Sequence, residues 1–196
     1  MSIKISFKKS TSRKNSTNLV LFVDEKFNLK PIKKYISSSE FFYISDLLKI
    51  RDLKKKLLVF ELSSKKKLVL ISIKKNIKNY DIENLGAEFY GIIFNKKKTE
   101  YFINSESLHH NYKNFIGHFL HGLKLKSYDF KKYKSKKEKN FINVYVIGRK
   151  NNITPKDRIK FVALEEGTFY ARDLVSEPGN VLHPDEYAKR IKVLKK

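Results

Sequence analysis

The histidines of this sequence are the first candidates for a metal-binding site. His118 and His121 lie three residues apart on one predicted helix, a spacing at which two imidazoles can bind the same ion. The sequence places no carboxylate beside them, and His109 and His110 come before the helix. We therefore interpret the pair as a half-exposed polar flank of the helix and not as metal ligands. The fifth histidine, His183, stands far along the chain.

Paired carboxylates near the end of the chain are the second candidate for chemistry. Asp173 and Glu177 are four residues apart on a predicted helix, and Glu165 and Glu166 precede them by one to two turns. Such pairs can carry acid–base chemistry or bind a metal. Because Arg172 and many lysines surround them, we interpret these carboxylates as ion pairs on the face of a helix.

Several classes of site are excluded or not favoured by the residue types present. The chain contains no cysteine, which excludes disulfides, thiolate zinc sites and a cysteine nucleophile. No local Ser/His/Asp or Ser/Lys signature occurs. The seven glycines form neither G-x-G-x-x-G nor a Walker loop, so a nucleotide site is not favoured. The sequence therefore predicts no catalytic, metal-binding or substrate-binding residue in this chain.

The formal net charge of +23 suggests a nucleic-acid partner, but its origin favours another interpretation. Lysine supplies 37 of the 43 basic residues, and arginine, which suits bidentate phosphate and guanine contacts, supplies only 6. The chain is also rich in asparagine and isoleucine, a combination that indicates a coding bias. A selected nucleic-acid surface remains the alternative.

The lysine-rich segment 126–139, with the sequence KSYDFKKYKSKKEK, has two interpretations. Its interleaved aromatic residues could stack on bases while the lysines follow phosphates. Alternatively, it is an exposed connection whose aromatic side chains anchor it to the domain. We favour this second interpretation.

The elements that must position these residues alternate between strand and helix. Short apolar, β-branched runs predict buried strands at 3–7, 18–24, 57–62, 67–73, 100–104 and 141–148. Helical periodicity covers 80–94 and 112–123, where Gly86 allows close approach to a neighbour, and 39–50 is a further helix candidate. This alternation predicts an α/β sandwich around a mixed, mostly parallel sheet.

The sequence predicts neither a secretory signal peptide nor a membrane-spanning segment. The first residues, MSIKISFKKS, lack the apolar run of a signal peptide, and the longest apolar runs are too short to span a bilayer. We therefore expect a soluble cytoplasmic protein with no membrane partner.

A long helix with clear start signals follows the last predicted strand. Thr154 is a good N-cap, Pro155 suits the first helical position, and Asp157 can face the exposed amides. Pro178 and Gly179 end this helix. Its apolar side comprises Ile159, Val162, Ala163, Tyr170, Leu174 and Val175. A second helix starts at Pro184, followed by Asp185 and Glu186, and we expect it to be unstable without a partner.

The run from Ala171 to Ala188, A-R-D-L-V-S-E-P-G-N-V-L-H-P-D-E-Y-A, resembles the segment that joins the two domains of leucyl aminopeptidases (cytosol aminopeptidases, peptidase family M17). Weaker likeness includes the Leu85-Gly86 pair and the segment 127–134, whereas the first 75 residues match in pattern only. Two positions depart from the family pattern. Ser176 stands where many members have asparagine, and His183 stands where a better helix cap is common.

This resemblance implies a macrodomain-like amino-terminal domain at 1–150, an interdomain linker helix at 151–178 and the truncated start of a catalytic domain at 179–196. The family's catalytic domain binds two divalent ions, Mn²⁺ or Zn²⁺, in motifs resembling G-K-G-x-T-F-D-S-G-G and N-T-D-A-E-G-R. Neither motif occurs in this chain. No catalytic or metal-binding position can therefore be carried over from the family.

The expected function is accordingly that of a non-catalytic assembly or regulatory part of a metallo-aminopeptidase, inactive by itself. The resemblance implies that its partners are the missing catalytic domain and further copies in a hexamer. The alternative is a basic binding module for nucleic acid or for an assembly partner. A macrodomain-type ADP-ribose binder is a third possibility, which rests on fold analogy alone.

Overall fold

Six strands form one sheet in the computed structural model, which describes residues 2–8, 18–94, 100–110, 112–135, 141–150 and 153–194. The strands are β1 Ser2–Lys8, β2 Asn18–Asp24, β3 Leu57–Ser63, β4 Lys66–Ile73, β5 Glu100–Asn104 and β6 Phe141–Ile147. The helices are α1 Ser38–Ile50, α2 Asn79–Ile93, α3 Phe115–Lys126, α4 Pro155–Ser176 and α5 Pro184–Lys192. The strand order is β1-β6-β5-β2-β4-β3, and only the β3–β4 pair is antiparallel. The predicted mixed, mostly parallel α/β sheet is confirmed.

Helices cover the centre of the sheet on both faces, which explains the continuous apolar run of β2. Val20 and Phe22 face the core formed with α2 and α3. Leu21 and Val23 face the core formed with α1. Successive side chains of a strand point to opposite faces, so a strand buried on both faces has no polar alternation.

Two glycines bring α2 and α3 into backbone contact. A Cβ atom built on Gly86 would lie 1.9 Å from the Phe119 carbonyl oxygen, and one on Gly122 would lie 1.9 Å from the Glu83 carbonyl oxygen. No larger residue fits at either position without moving a helix. The close approach predicted at Gly86 is therefore confirmed, and Gly122 supplies the same contact from the other helix.

The start of α3 differs from the sequence expectation. Asn114 adopts a left-handed backbone with φ of 55°, and the helix begins at Phe115. Tyr112 therefore lies before the helix, where its hydroxyl donates to the Lys74 carbonyl oxygen at 3.1 Å. The three- and four-residue spacing of apolar residues extends to Tyr112, before the helix begins, because Tyr112 also packs against the core.

The last two helices lie outside the two core layers. α4 packs against α3, with Phe161 as its one buried residue, and no residue of α5 is buried. Thr154 caps α4 as predicted, since its hydroxyl oxygen accepts the Asp157 backbone N–H at 3.1 Å. Among the helices that the structure describes, none combines the length and apolar composition needed to cross a membrane.

Candidate functional site

Phe161 attaches α4 to the sheet domain by inserting beside the two helical histidines. Its ring centroid lies 5.0 Å from that of His118 and 5.1 Å from that of His121. A Cβ atom on Gly117 would lie 2.7 Å from the Phe161 ring, so that glycine makes room for it. The histidine flank of α3 is therefore the surface on which α4 lies.

Each of these histidines meets a carboxylate that is distant in sequence. His118 Nδ1 lies 2.8 Å from Glu83 Oε1 of α2, and His121 Nδ1 lies 3.5 Å from Glu165 Oε1 of α4. His121 is buried, because α4 covers it, and so it is not the half-exposed residue expected from the sequence. Within the described ranges, no group of three or more His, Asp or Glu side chains could hold a metal ion. Each of the two histidines has a single carboxylate beside it, so these residues do not fit a metal centre.

The apolar side predicted for α4 points away from the sheet domain. Ile159 is 73% exposed and Val162 is 43% exposed, and Ala163 beside them is also exposed. Tyr170 and Leu174, further along the same side, are partly covered where α5 approaches. Val175 is 87% exposed on another flank of the helix. We call Ile159, Val162 and Ala163 the outer side of α4.

The described part of the lysine-rich segment, 126–135, is anchored to α4. Tyr128 donates its hydroxyl hydrogen to Asp173 Oδ1 at 2.7 Å. Just before the segment, in α3, the Leu125 carbonyl oxygen accepts a hydrogen bond from Arg172 Nη1 at 2.6 Å. Lys131 and Lys134 both pair with Asp129. These contacts agree with the anchored connection and not with free stacking platforms. Residues 136–139 of the predicted segment lie outside the described residues.

Glu177, the first residue after α4, gathers most of the polar contacts at this junction. Its carboxylate accepts hydrogen bonds from Lys132 Nζ, from the Tyr133 hydroxyl and, at 3.1 Å, from Arg190 Nη1. The hydrogen bonds from Lys132, then Tyr133, lower the pKa of Glu177 to about 2. Glu177 therefore remains ionised at neutral pH.

Of the carboxylates predicted to form ion pairs on the face of this helix, Glu177 does pair with cations, but it lies one residue past the end of α4 and its partners are not local. Glu177 pairs with Lys132 and Arg190 from other segments. Asp173 bonds to Tyr128, and Arg172 binds a carbonyl oxygen. Sequence spacing placed these groups close together but could not identify partners that lie 13 to 47 residues away.

An open groove of about 640 Å³ lies between the anchored segment, α4 and α5. Phe130, Tyr170 and Leu174 line it with Val193 and Leu194. The carboxylates that line it have partners, since Asp129 pairs with Lys131, Glu177 pairs with Lys132 and Arg190, and Asp173 accepts the Tyr128 hydroxyl hydrogen. A group that already holds its counter-charge is poorly placed to transfer protons, so the arrangement favours a structural role over acid–base chemistry.

Comparison of the sequence with known proteins gives relatives over a limited region. No family model matches the chain. A probable cytosol aminopeptidase of Clostridium perfringens (strain 13 / Type A) is 38% identical over 86 residues, which are 41% of this chain and 17% of that protein. One from Chelativorans sp. (strain BNC1) is 40% identical over 78 residues, 37% of this chain and 16% of that protein. The matched region is thus a small part of these relatives.

Similarity of fold extends over nearly the whole chain. A tomato leucine aminopeptidase mutant superposes with a TM-score of 0.71 and 15% identity over 98% of this chain and 42% of its own. The cytosol aminopeptidase of Coxiella burnetii gives a TM-score of 0.60 and 13% identity, with 96% and 37% covered. The bottromycin maturation enzyme BotP in complex with Mn gives 0.58 and 13% identity, with 91% and 36% covered.

The sequence matches and the fold point to the same group of proteins, the leucine and cytosol aminopeptidases. The curated relatives are matched over their amino-terminal part only. This chain is therefore similar to the amino-terminal part of leucyl aminopeptidases (cytosol aminopeptidases), in sequence over 41% of its length and in fold over 98% of it.

Proposed function

We propose that this chain is the non-catalytic assembly part of a leucyl aminopeptidase and that it carries a catalytic domain on α4 and α5. The exposed apolar outer side of α4 supports this proposal most directly. Ile159 and Val162 expose 73% and 43% of their surface on a helix whose other side is already packed on α3. Large apolar side chains in such a position mark an interaction surface.

The proposal divides the chain into an amino-terminal domain at 1–150, a linker helix at 151–178 and the start of a catalytic domain at 179–196. The solved neighbours contain much chain beyond the superposed region, since this chain covers only 42% and 37% of two of them. In the proposal, that additional part holds two divalent ions, Mn²⁺ or Zn²⁺. In the proposal, the assembled protein releases amino-terminal residues from peptides in the cytoplasm, in keeping with the relatives' name, probable cytosol aminopeptidase. It forms a homo-oligomer, as the family resemblance implies.

A hydrolysis assay tests the non-catalytic role. The purified 196-residue chain is incubated with leucine p-nitroanilide and Mn²⁺ or Zn²⁺, and release of p-nitroaniline is followed. We expect no release above that of the metal alone, because the two family metal motifs do not occur in the sequence. Metal-dependent turnover that co-purifies with the chain would overturn the proposal.

Light scattering after size exclusion tests the surface itself. We expect the chain to self-associate as its concentration rises, because the outer side of α4 is uncovered. The double substitution Ile159→Gln and Val162→Gln should reduce this association, whereas Glu166→Gln on the same helix should leave it unchanged. A monodisperse monomer at high concentration would contradict this role of the surface.

The net charge of +23 supports a second candidate, binding to nucleic acid. A purely electrostatic interaction would lose affinity steeply with rising salt and would ignore base sequence. Fluorescence anisotropy with labelled DNA of two unrelated sequences, measured across a salt series, separates this from true recognition. A sequence-selective component that survives high salt would favour a selected nucleic-acid surface.

A further inference from the structure

Three segments of the chain meet at the carboxylate of Glu177. The donors Lys132 and Tyr133 belong to the anchored segment, 45 and 44 residues earlier, and Arg190 belongs to α5, 13 residues later. The side chain of Glu177 is 1% exposed. One carboxylate therefore cross-links the end of α4 to both neighbouring segments.

The backbone leaves the helical conformation at Glu177. Glu177 has an extended backbone, with φ of −69° and ψ of 138°, and Pro178 follows it. A residue before proline is disfavoured in the helical region, so the helix ends there because of the sequence. The turn that follows is closed by the backbone N–H groups of Val181 and Leu182, which donate to the Pro178 carbonyl oxygen at 2.9 and 3.0 Å.

A carboxylate covered to this extent is stable only when it is paired and hydrogen-bonded. A buried charge without partners is strongly destabilising, and removing one partner of such a pair costs more than the pair contributes. Glu177 has two cations and one hydroxyl as donors. Releasing either segment would leave this charge without part of its compensation, so the carboxylate favours the closed arrangement of both.

α5 has few other means of holding its position. It is nine residues long, has no buried residue, and its N-cap His183 makes no capping hydrogen bond. A helix of that length is marginal by itself in water. Tyr170 adds a hydrogen bond from its hydroxyl to the Arg190 carbonyl oxygen at 3.1 Å. Arg190 thus takes part in both of these polar links between α5 and the end of α4.

We propose that Glu177 is a positioning residue that clamps α5 and the anchored segment to the end of α4 and so fixes the direction in which the chain leaves α4. The clamp consists entirely of residues in this chain. A test of the clamp therefore does not depend on whether a catalytic domain packs against the outer side of α4.

Two readouts on the intact 196-residue chain test the clamp. Hydrogen exchange measures the protection of the amides of α5, and trypsin measures release of the anchored segment through cleavage at Lys131, Lys132 and Lys134. The substitution Glu177→Gln removes the charge but keeps the size of the side chain. It should increase both α5 exchange and trypsin cleavage by about tenfold or more, the factor expected from loss of charge-assisted hydrogen bonds.

The partner substitutions should separate the two effects. Arg190→Gln should increase amide exchange in α5 and leave trypsin cleavage of the anchored segment within about twofold. Tyr133→Phe should increase cleavage of the anchored segment and leave α5 exchange within about twofold. Glu166→Gln, an exposed carboxylate on the same helix, is the matched control and should change neither. Exchange of α2 and α3 amides reports whether each variant keeps the folded core.

Two results would overturn the proposal. One is α5 protection in Glu177→Gln equal to that in Glu166→Gln, and the other is loosening of α5 with no effect on the anchored segment. If Glu177→Gln does not fold, the partner variants decide the question. Separate loosening of the two segments by Arg190→Gln and Tyr133→Phe then supports the clamp, and unchanged segments in both variants overturn it.

Discussion

Replacing Gly86 by alanine would add a methyl group at the point where the backbones of α2 and α3 touch. The new Cβ would lie 1.9 Å from the Phe119 carbonyl oxygen, 2.9 Å from its carbonyl carbon and 3.0 Å from the Leu123 backbone nitrogen. These are main-chain atoms of a helix, and none can rotate away as the end of a flexible side chain would. The two helices would have to separate, although Phe119 and Leu123 are completely buried between them and the sheet.

The expected loss of stability follows from two opposing contributions. Alanine is favoured over glycine in a helix by about 1 kcal/mol. Overpacking a core costs about 1–3 kcal/mol, and contact with immobile backbone places this case at the upper end of that range. The net destabilisation should be about 2 kcal/mol, which for a chain of this size lowers the midpoint of thermal unfolding by roughly 4–8 °C.

Gly91→Ala on the same helix is the matched control. A Cβ at Gly91 would meet no atom within 4 Å, so only the helix preference acts. This variant should be more stable than the original by roughly 0.5–1 kcal/mol. Both variants are measured by urea unfolding followed by far-ultraviolet circular dichroism, with thermal unfolding as a second measurement. Equal stabilities of the two variants, within about 0.5 kcal/mol, would refute the packing argument.

Three further predictions concern other parts of the structure. Phe161→Ala should weaken the attachment of α4 by about 3 kcal/mol, the typical loss for truncating a buried phenylalanine. Hydrogen exchange of α4 amides should rise while that of α2 amides stays constant. Unchanged α4 exchange would contradict this prediction. Ser107→Ala should lower the free energy of unfolding in urea by about 1–3 kcal/mol. The reason is that the Ser107 hydroxyl oxygen accepts the buried Phe22 backbone N–H at 2.9 Å. A loss below about 0.5 kcal/mol would count against that hydrogen bond. The pKa of Glu177 is lowered from 4.5 to about 2 in the folded chain, so its contribution to stability is fully present above pH 4.5 and is lost as the pH falls towards 2. Carbon-detected NMR of that carboxyl should show a titration midpoint near 2, and a midpoint near 4.5 would exclude the hydrogen bonds from Lys132 and Tyr133 to this carboxylate.

Local sequence signals were sufficient where the element depends on its own residues. The predicted strand at 18–24 coincides with β2, because an apolar run between polar residues determines both the strand and its burial. Thr154 and Pro155 predicted the start of α4 for the same reason, since a cap acts within one turn. The family resemblance also came from a local run of residues, Ala171 to Ala188.

Local signals were insufficient where two distant segments share one contact. His118 and His121 were predicted to form a half-exposed polar flank, but the fold buries His121 and places a distant carboxylate beside each histidine, Glu83 from α2 and Glu165 from α4. The apolar residues of α4 were recognised, yet the helix packs through Phe161, because Gly117 on α3 leaves room for that ring.

The sequence by itself determined the strands, the principal helices, the capping of α4 and the family to which the chain is similar. Only the tertiary structure decided the strand order, the direction of each face of α4 and the partners of Glu177. The physical reason is the range of the interactions. Propensity, capping and periodicity act within a few residues. The hydrogen bonds from Lys132, Tyr133 and Arg190 to Glu177 form only when the fold brings these distant segments together at the end of α4.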